Sequence, residues 1–111
     1  MPEVQEAAPP RTLREIIRSL HMLRHGDWLM IPRDTKRITL DLPCRTVFLD
    51  DYLDDEIEDY CTREQVREFF YSGPLEEIRH NLAAQRPNYS DAELETAIDF
   101  YWRRDAFIEF T

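Results

Sequence analysis

The sequence predicts an α+β domain: a small, mainly antiparallel sheet with an N-terminal helix, two C-terminal helices and a terminal strand. Three observations predict it. Apolar residues recur at helical spacing near both ends of the chain. Between Asp27 and Leu49 that period disappears, and prolines cut the sequence into short runs rich in Ile, Leu, Val, Thr and Trp. At 111 residues the chain is long enough for one core and too short for two.

Residues 1–11 are expected to be a disordered tail, because the first ten carry three prolines and two adjacent alanines without apolar periodicity. The domain then spans 12–111. Thr12-Leu13-Arg14-Glu15 fits a capping box, in which a hydroxyl and a carboxylate satisfy backbone N–H groups of the first turn. Leu13, Ile16, Ile17, Leu20 and Leu23 follow as one helical stripe, and Gly26 is the natural stop after Arg24 and His25. Trp28 to Ile31, Arg37 to Asp41 and Arg45 to Leu49 read as three strands of an antiparallel meander, bounded by Pro32 and Pro43, with a polar turn at Arg33 to Lys36.

Thr62-Arg63-Glu64-Gln65 offers a second capping box, and Phe69, Phe70 and Tyr71 after it fit a helix end or a strand equally well. Pro74 at a first helical position opens a helix with Leu75, Ile78 and Leu82 inward, ending before Pro87. Ser90-Asp91-Ala92-Glu93 caps another helix, with Leu94, Ala97, Ile98 and Tyr101 on one stripe, flanked by Phe100 and Trp102. Asp105 would fall on that stripe, so the helix should end near Arg104, leaving Ala106 to Phe110 as the terminal strand.

Composition bounds the function. Hydrophobic residues make up 42% of the chain and glycines number two, which fits a packed core and excludes disordered and collagen-like polymers. Twenty-three acids against 14 Lys and Arg give a formal charge of −9. Such a chain repels phosphates and anionic membranes, so direct nucleic-acid or membrane binding is not expected and its partners should be basic. The N-terminus lacks the basic and apolar regions of a secretory leader, and two cysteines, Cys44 and Cys61, are too sparse for a disulfide framework; both point to a cytosolic protein with reduced thiols.

Catalytic and cofactor signatures are weak. His21 and His25 stand at i and i+4, but the Glu of a His-Glu-x-x-His site is missing and no third ligand is apparent, so they read as surface histidines. His80 indicates nothing more specific. Gly26 and Gly73 both sit at helix boundaries, which excludes a phosphate-binding glycine loop, and no serine or cysteine has the neighbours of a nucleophile. No enzyme, metal or cofactor is expected.

The most unusual segment places seven acids in ten residues: Asp50, Asp51, Asp54, Asp55, Glu56, Glu58 and Asp59. Without them 16 acids face 14 bases, so this segment holds −7 of the −9. It lacks the glycine and twelfth-position glutamate of a calcium loop, and its spacing fits no pair of glycosidase carboxylates. Tyr52, Leu53, Ile57 and Tyr60 interleave the acids, as apolar anchors do at interfaces with a charged partner, and the acids together with Tyr52 and Tyr60 are the expected partner-binding residues. The same pattern fits a solvated loop pinned to the core, because Leu53, Ile57 and Tyr60 also lie at helical core spacing. In that case Trp28, Tyr71 and Trp102 are the next candidates for a binding surface, while an apolar Met22 opposite the first helical stripe leaves room for a homodimer.

The order of motifs, Thr12-Leu13-Arg14-Glu15-Ile16-Ile17, Asp27-Trp28-Leu29, Leu40-Asp41-Leu42-Pro43-Cys44, an acidic stretch, and Asp105-Ala106-Phe107-Ile108, resembles small acidic bacterial immunity proteins of polymorphic-toxin and contact-dependent growth inhibition systems. The resemblance covers Thr12 to Ile108. It implies a cytoplasmic, non-enzymatic inhibitor that binds a cognate, basic, nuclease-type toxin domain and occludes its active or substrate-binding surface. Two other classes compete: a nucleic-acid-mimicking regulator, which needs acids spaced along an extended face, and a small hydrolase, which needs convergent titratable groups in a pocket.

Overall fold

Four strands and four α-helices make up the α+β fold in the computed structural model, which describes residues 3–110. They are β1 (Glu6–Thr12), α1 (Leu13–Arg18), β2 (Asp27–Pro32), β3 (Pro43–Phe48), α2 (Asp54–Glu64), β4 (Val66–Glu68), α3 (Ser72–Gln85) and α4 (Asp91–Arg104). The sheet order is β1-β3-β2-β4, and all three pairings are antiparallel. Among the described residues no helix is long and apolar enough to cross a membrane.

Strand side chains alternate between two faces, and both faces of this sheet are covered. Leu29 and Ile31 of β2 join Cys44 of β3 in the larger core with Leu13, Ile16, Leu75, Ile78, Leu82 and Ile98 from α1, α3 and α4. The intervening Met30, with Val47 and Val66, meets Val4, Ile57 and Tyr60 in a smaller core under α2. Two-sided burial explains why β2 reads as an almost unbroken apolar run. Each fully buried aliphatic side chain contributes roughly 1.5–3 kcal/mol.

Several expected elements differ. Of the disordered tail expected over residues 1–11, the first two positions lie outside the described residues, as does Thr111 at the other end. Glu6–Thr12 instead forms edge strand β1, pairing with β3 through an irregular register. Pro9 and Pro10 are tolerated there because an outer strand has one unpaired side and because both fall where the register with β3 shifts, between Ala8 and Arg11. Val4 is buried under α2, and side-chain bonds fix the strand: Tyr60 donates to Glu6 at 3.1 Å and Arg45 pairs with Glu6 at 3.4 Å.

The capping box at Thr12 forms, but α1 stops at Arg18 and a 3-10 turn at Leu20–Met22 replaces the expected second half of the helix. The Ser19 hydroxyl donates to the Glu15 carbonyl at 3.0 Å, the local competition by which serine weakens a helix interior. Gly26, at φ +100°, then makes the turn into β2.

Arg37 to Asp41 is not a strand. Ile38 and Leu40 point into the core as a strand's alternate residues would, but their N–H groups donate to the carboxylates of Asp99 (2.9 Å) and Glu95 (2.7 Å) on α4. The carbonyls of Leu40 and Leu42 accept from Arg14 and Leu13 in the first turn of α1. The segment runs into a turn closed by the Leu42 N–H donating to the Thr39 carbonyl at 3.2 Å, and its other backbone bonds go to helices. Ala106 to Phe110 is likewise no strand: α4 ends at Asp105, at φ 54°, and the Gln85 side chain donates to the Ile108 carbonyl and accepts from the Phe110 N–H.

Candidate interaction surface

The acidic segment folds into a 3-10 turn at Leu49–Asp51 followed by α2. Helix formation fits the residues: Asp54, Asp55 and Glu56 occupy the first turn, where carboxylates are stabilised by the positive end of the helix dipole. Leu53 N–H donates to the Glu56 carboxylate at 2.9 Å, satisfying one group that the helix start leaves free. Ile57, Tyr60, Cys61 and Glu64 form the inward stripe at offsets 0, 3, 4 and 7, and Gln65 ends the helix in the left-handed region at φ 55°. The capping box expected at Thr62 does not exist, because Thr62 already lies in the last turn of α2. Beyond Gln65 the chain becomes β4, which answers the open choice at Phe69 to Tyr71: Phe69 and Phe70 continue the pairing to Leu29 just past the strand.

The nine expected partner-binding residues separate into three groups. Asp50, Asp51, Asp54, Asp55, Glu58 and Asp59 are exposed. Glu56 and Tyr52 are half-buried and engaged, Glu56 at the helix start and Tyr52 through its hydroxyl, which accepts from Gln5 N–H at 2.9 Å. Tyr60 does not belong to the surface. It is buried under the sheet, its hydroxyl bonded to Glu6, and burial pushes its pKa up to about 12. In its place Leu53 is 64% exposed amid the acids, an apolar group available to a partner.

None of the seven acids takes part in an ion pair among the described residues. Among the described residues six arginines pair with carboxylates elsewhere, while Arg33 lines a groove with Asp54 and Glu58 without an ion pair to either. Arg45 bridges Glu64 at 2.7 Å and Glu6 at 3.4 Å, and its hydrogen bond holds the Glu64 carboxyl below the usual range. Arg63 also turns to Glu64, at 3.5 Å, and Arg14, Arg24, Arg86 and Arg103 pair with Asp91, Asp27, Glu93 and Asp99. On α2, by contrast, Asp54 and Glu58, and likewise Asp55 and Asp59, stand at i and i+4, where like charges destabilise a helix. The arrangement is a fixed, uncompensated carboxylate face with an exposed leucine at its start.

Other chemistry is sparse. Among the described residues no three His, Cys, Asp or Glu side chains group as metal ligands, and His21 and His25 are exposed. Cys44 is buried, its thiol pushed up to about 12, and Cys61, half-buried on the inward side of α2, is also raised by burial, so neither is poised as a thiolate. Sequence reasoning named Trp28 and Tyr71 only as fallback candidates; the structure packs them at a tilt with ring centroids 4.9 Å apart, beside Asp50. No spacing rule signals that contact, since the two rings come from separate elements brought together by β4 pairing alongside β2.

No curated protein and no solved structure matches the chain. A family does, over residues 10–110, nearly the whole fold described above. The chain belongs to the family described as Domain of unknown function (DUF7716).

Proposed function

We propose that this protein is a non-enzymatic, immunity-type inhibitor that uses the acidic face of α2 and the preceding turn to bind a basic partner protein, a cognate nuclease-type toxin domain in the cytoplasm, and cover its active or substrate-binding surface. One observation carries the reading: six exposed carboxylates are concentrated on one short stretch that holds no cation and no ion pair among the described residues, while Arg45 and Arg63 nearby are engaged with Glu6 and Glu64. Carboxylates on a helix can take the charge-assisted bonds that Arg and Lys of a nuclease otherwise give to phosphates, and Leu53 supplies an apolar anchor among them. The resemblance of the motif order to immunity proteins agrees with this reading.

The test uses the basic domain encoded in the adjacent reading frame, purified, with wild type and the triple variant Asp54→Lys, Asp55→Lys, Glu58→Lys. Wild type should bind it, suppress its activity, and associate more slowly as salt rises toward 0.15 M, where the screening length falls to about 8 Å. The variant should fold and lose binding by several kcal/mol, because like-charge contacts at an interface are that unfavourable. A folded variant that binds and protects as well as wild type sinks the reading.

A further inference from the structure

Beside the acidic turn lies a cleft of about 290 Å³ lined by His25, Gly26, Trp28, Asp50 and Tyr71. Trp28 projects from β2 on the α2 side of the sheet and is half-buried against the smaller core; Tyr71, just before α3, is 42% exposed. Their rings are tilted at 48° to each other. Two glycines shape the cleft. A Cβ on Gly26 would stand 2.9 Å from the Asp50 carboxylate, and one on Gly73 would stand 2.8 Å from the Tyr71 ring, so each lets its neighbour lie close.

The neighbouring turn holds the same groups with their cation in place. Arg24 stacks 4.3 Å over the Phe48 ring and pairs with the Asp27 carboxylate at 3.1 Å. Trp102 likewise has Arg67 over its face at 4.5 Å. Trp28 and Tyr71 have no arginine over them, and Asp50 has no ion pair, among the described residues. The cleft therefore has the aromatic faces and the carboxylate of an arginine site and lacks the arginine.

We propose that this cleft receives the guanidinium of one arginine side chain of the basic partner, stacked on Trp28 and Tyr71 and hydrogen-bonded to Asp50. This rests on the partner being a basic protein, as argued above, and adds which side chain it inserts. A planar, weakly hydrated guanidinium stacks on aromatic rings while donating in its own plane, which an ammonium does not.

The experiment follows the Trp28 indole N–H by NMR, with Trp102 as an internal control already covered by the chain's own arginine. The probes are N-acetyl-arginine amide, its neutral isostere N-acetyl-citrulline amide, and N-acetyl-lysine amide. The arginine probe should shift Trp28 saturably and leave Trp102 unmoved, the citrulline probe should do neither, and the lysine probe should bind more weakly. Asp50→Asn should weaken the arginine probe about tenfold, the loss expected for a charge-assisted hydrogen bond. Gly73→Ala, which displaces Tyr71, should weaken it as well, and Tyr71→Ala serves if melting shows either variant unfolded. An unmoved Trp28, an equal response to citrulline or lysine, or indifference to Asp50→Asn overturns the proposal.

A nona-arginine peptide separates this from the reading it rests on. The variant Asp54→Asn, Asp55→Asn, Glu58→Gln should weaken the peptide strongly and the single-arginine probe less than Asp50→Asn does. Peptide binding that survives this variant, with the Trp28 response intact, removes the α2 face and keeps the cleft. Peptide binding lost in the variant, with Trp28 silent throughout, removes the cleft and keeps the face.

Discussion

If the carboxylates of α2 are there for a partner, they should burden the helix that presents them, and neutralising the outer ones should stabilise the free protein. Glu58→Gln with Asp59→Asn is the informative change. Both residues lie in the second turn, so the first-turn acids that favour the helix dipole remain. Four like-charge contacts disappear: Glu58 with Asp54 and Asp55, and Asp59 with Asp55 and Glu56, at spacings of four and three residues. Each is unfavourable by roughly 0.2–0.5 kcal/mol in an isolated helix. Among the described residues no ion pair within 4 Å is lost, Arg63 being paired with Glu64 at 3.5 Å, and only the longer-range attractions of Arg63, four residues from Asp59, and of Arg33, in the groove with Glu58, offset part of the gain.

The double variant should therefore gain about 1 kcal/mol, which for a domain of this size raises Tm by roughly 4 °C or more. Melting curves at about 20 mM and 1 M salt check the cause, because screening at the higher concentration, where the Debye length is about 3 Å, should remove most of the gain. The same variant should bind the basic partner more weakly. A lower Tm at low salt would refute the reasoning: the acids would then be supporting the fold, and an uncompensated charge would be no sign of a binding face.

Asp99→Ala should cost about 1–3 kcal/mol, because it leaves the buried Ile38 N–H without a partner and releases Arg103, whereas Asp99→Asn, which keeps an acceptor, should cost less; chemical denaturation of the pair measures the difference. Alkaline stability should decline over a defined window. Burial raises Cys44 from 9.0 and Tyr60 from 10.0, each to about 12, so above pH 9 the unfolded chain loses protons that the folded one retains. Their stabilisation is whole below those unfolded values and is lost as pH rises toward 12. Melting midpoints from pH 8 to 12 should fall less steeply in Cys44→Ala with Tyr60→Phe than in wild type.

The helices at the C-terminal end were largely legible, because local chemistry fixes them: the Ser90-Glu93 box sets the start of α4, α3 opens at Ser72 so that Pro74 lies within its first turn instead of at the expected first position, and the stripes of Leu75, Ile78 and Leu82 and of Leu94, Ala97 and Ile98 set the faces. The two strands wrongly expected, at Arg37 to Asp41 and Ala106 to Phe110, fail in an instructive way. Alternation put Ala106, Ile108 and Phe110 on one face; Ile108 and Phe110 do pack on the core, as Ile38 and Leu40 do in the other segment, while Ala106 is exposed. Alternation reports which way side chains point in an extended chain and says nothing of what the backbone bonds to, and here the acceptors and donors are Glu95, Asp99 and Gln85 on helices. The opposite error hid β1. Prolines and alanines give no inward face, and Glu6–Thr12 is a strand only because β3 offers an edge and Tyr60 and Arg45 hold Glu6 against it.

The candidate site divides along the same line. Its charge was visible in the sequence, since seven acids in ten residues survive any conformation; its shape was not, and shape changes what the charge can do. A flexible acidic loop would have to be ordered on binding, at about 1–2 kcal/mol for each residue whose backbone is fixed. In α2 the backbone is ordered in advance: Ile57 and Tyr60 anchor its inner stripe on Met30, Val47 and Val66, and the Tyr60 bond to Glu6 ties it to the strand at the sheet's edge. The residue that sequence reasoning counted as a contact, Tyr60, thus serves the surface from beneath. Burying it leaves Leu53 and the outward carboxylates on a rigid support, in rows whose members rise about 6 Å from one to the next. The sheet that hides Tyr60 also places Trp28 beside Asp50, so the same packing that holds the acidic helix sets an aromatic cleft at the end of its charged face.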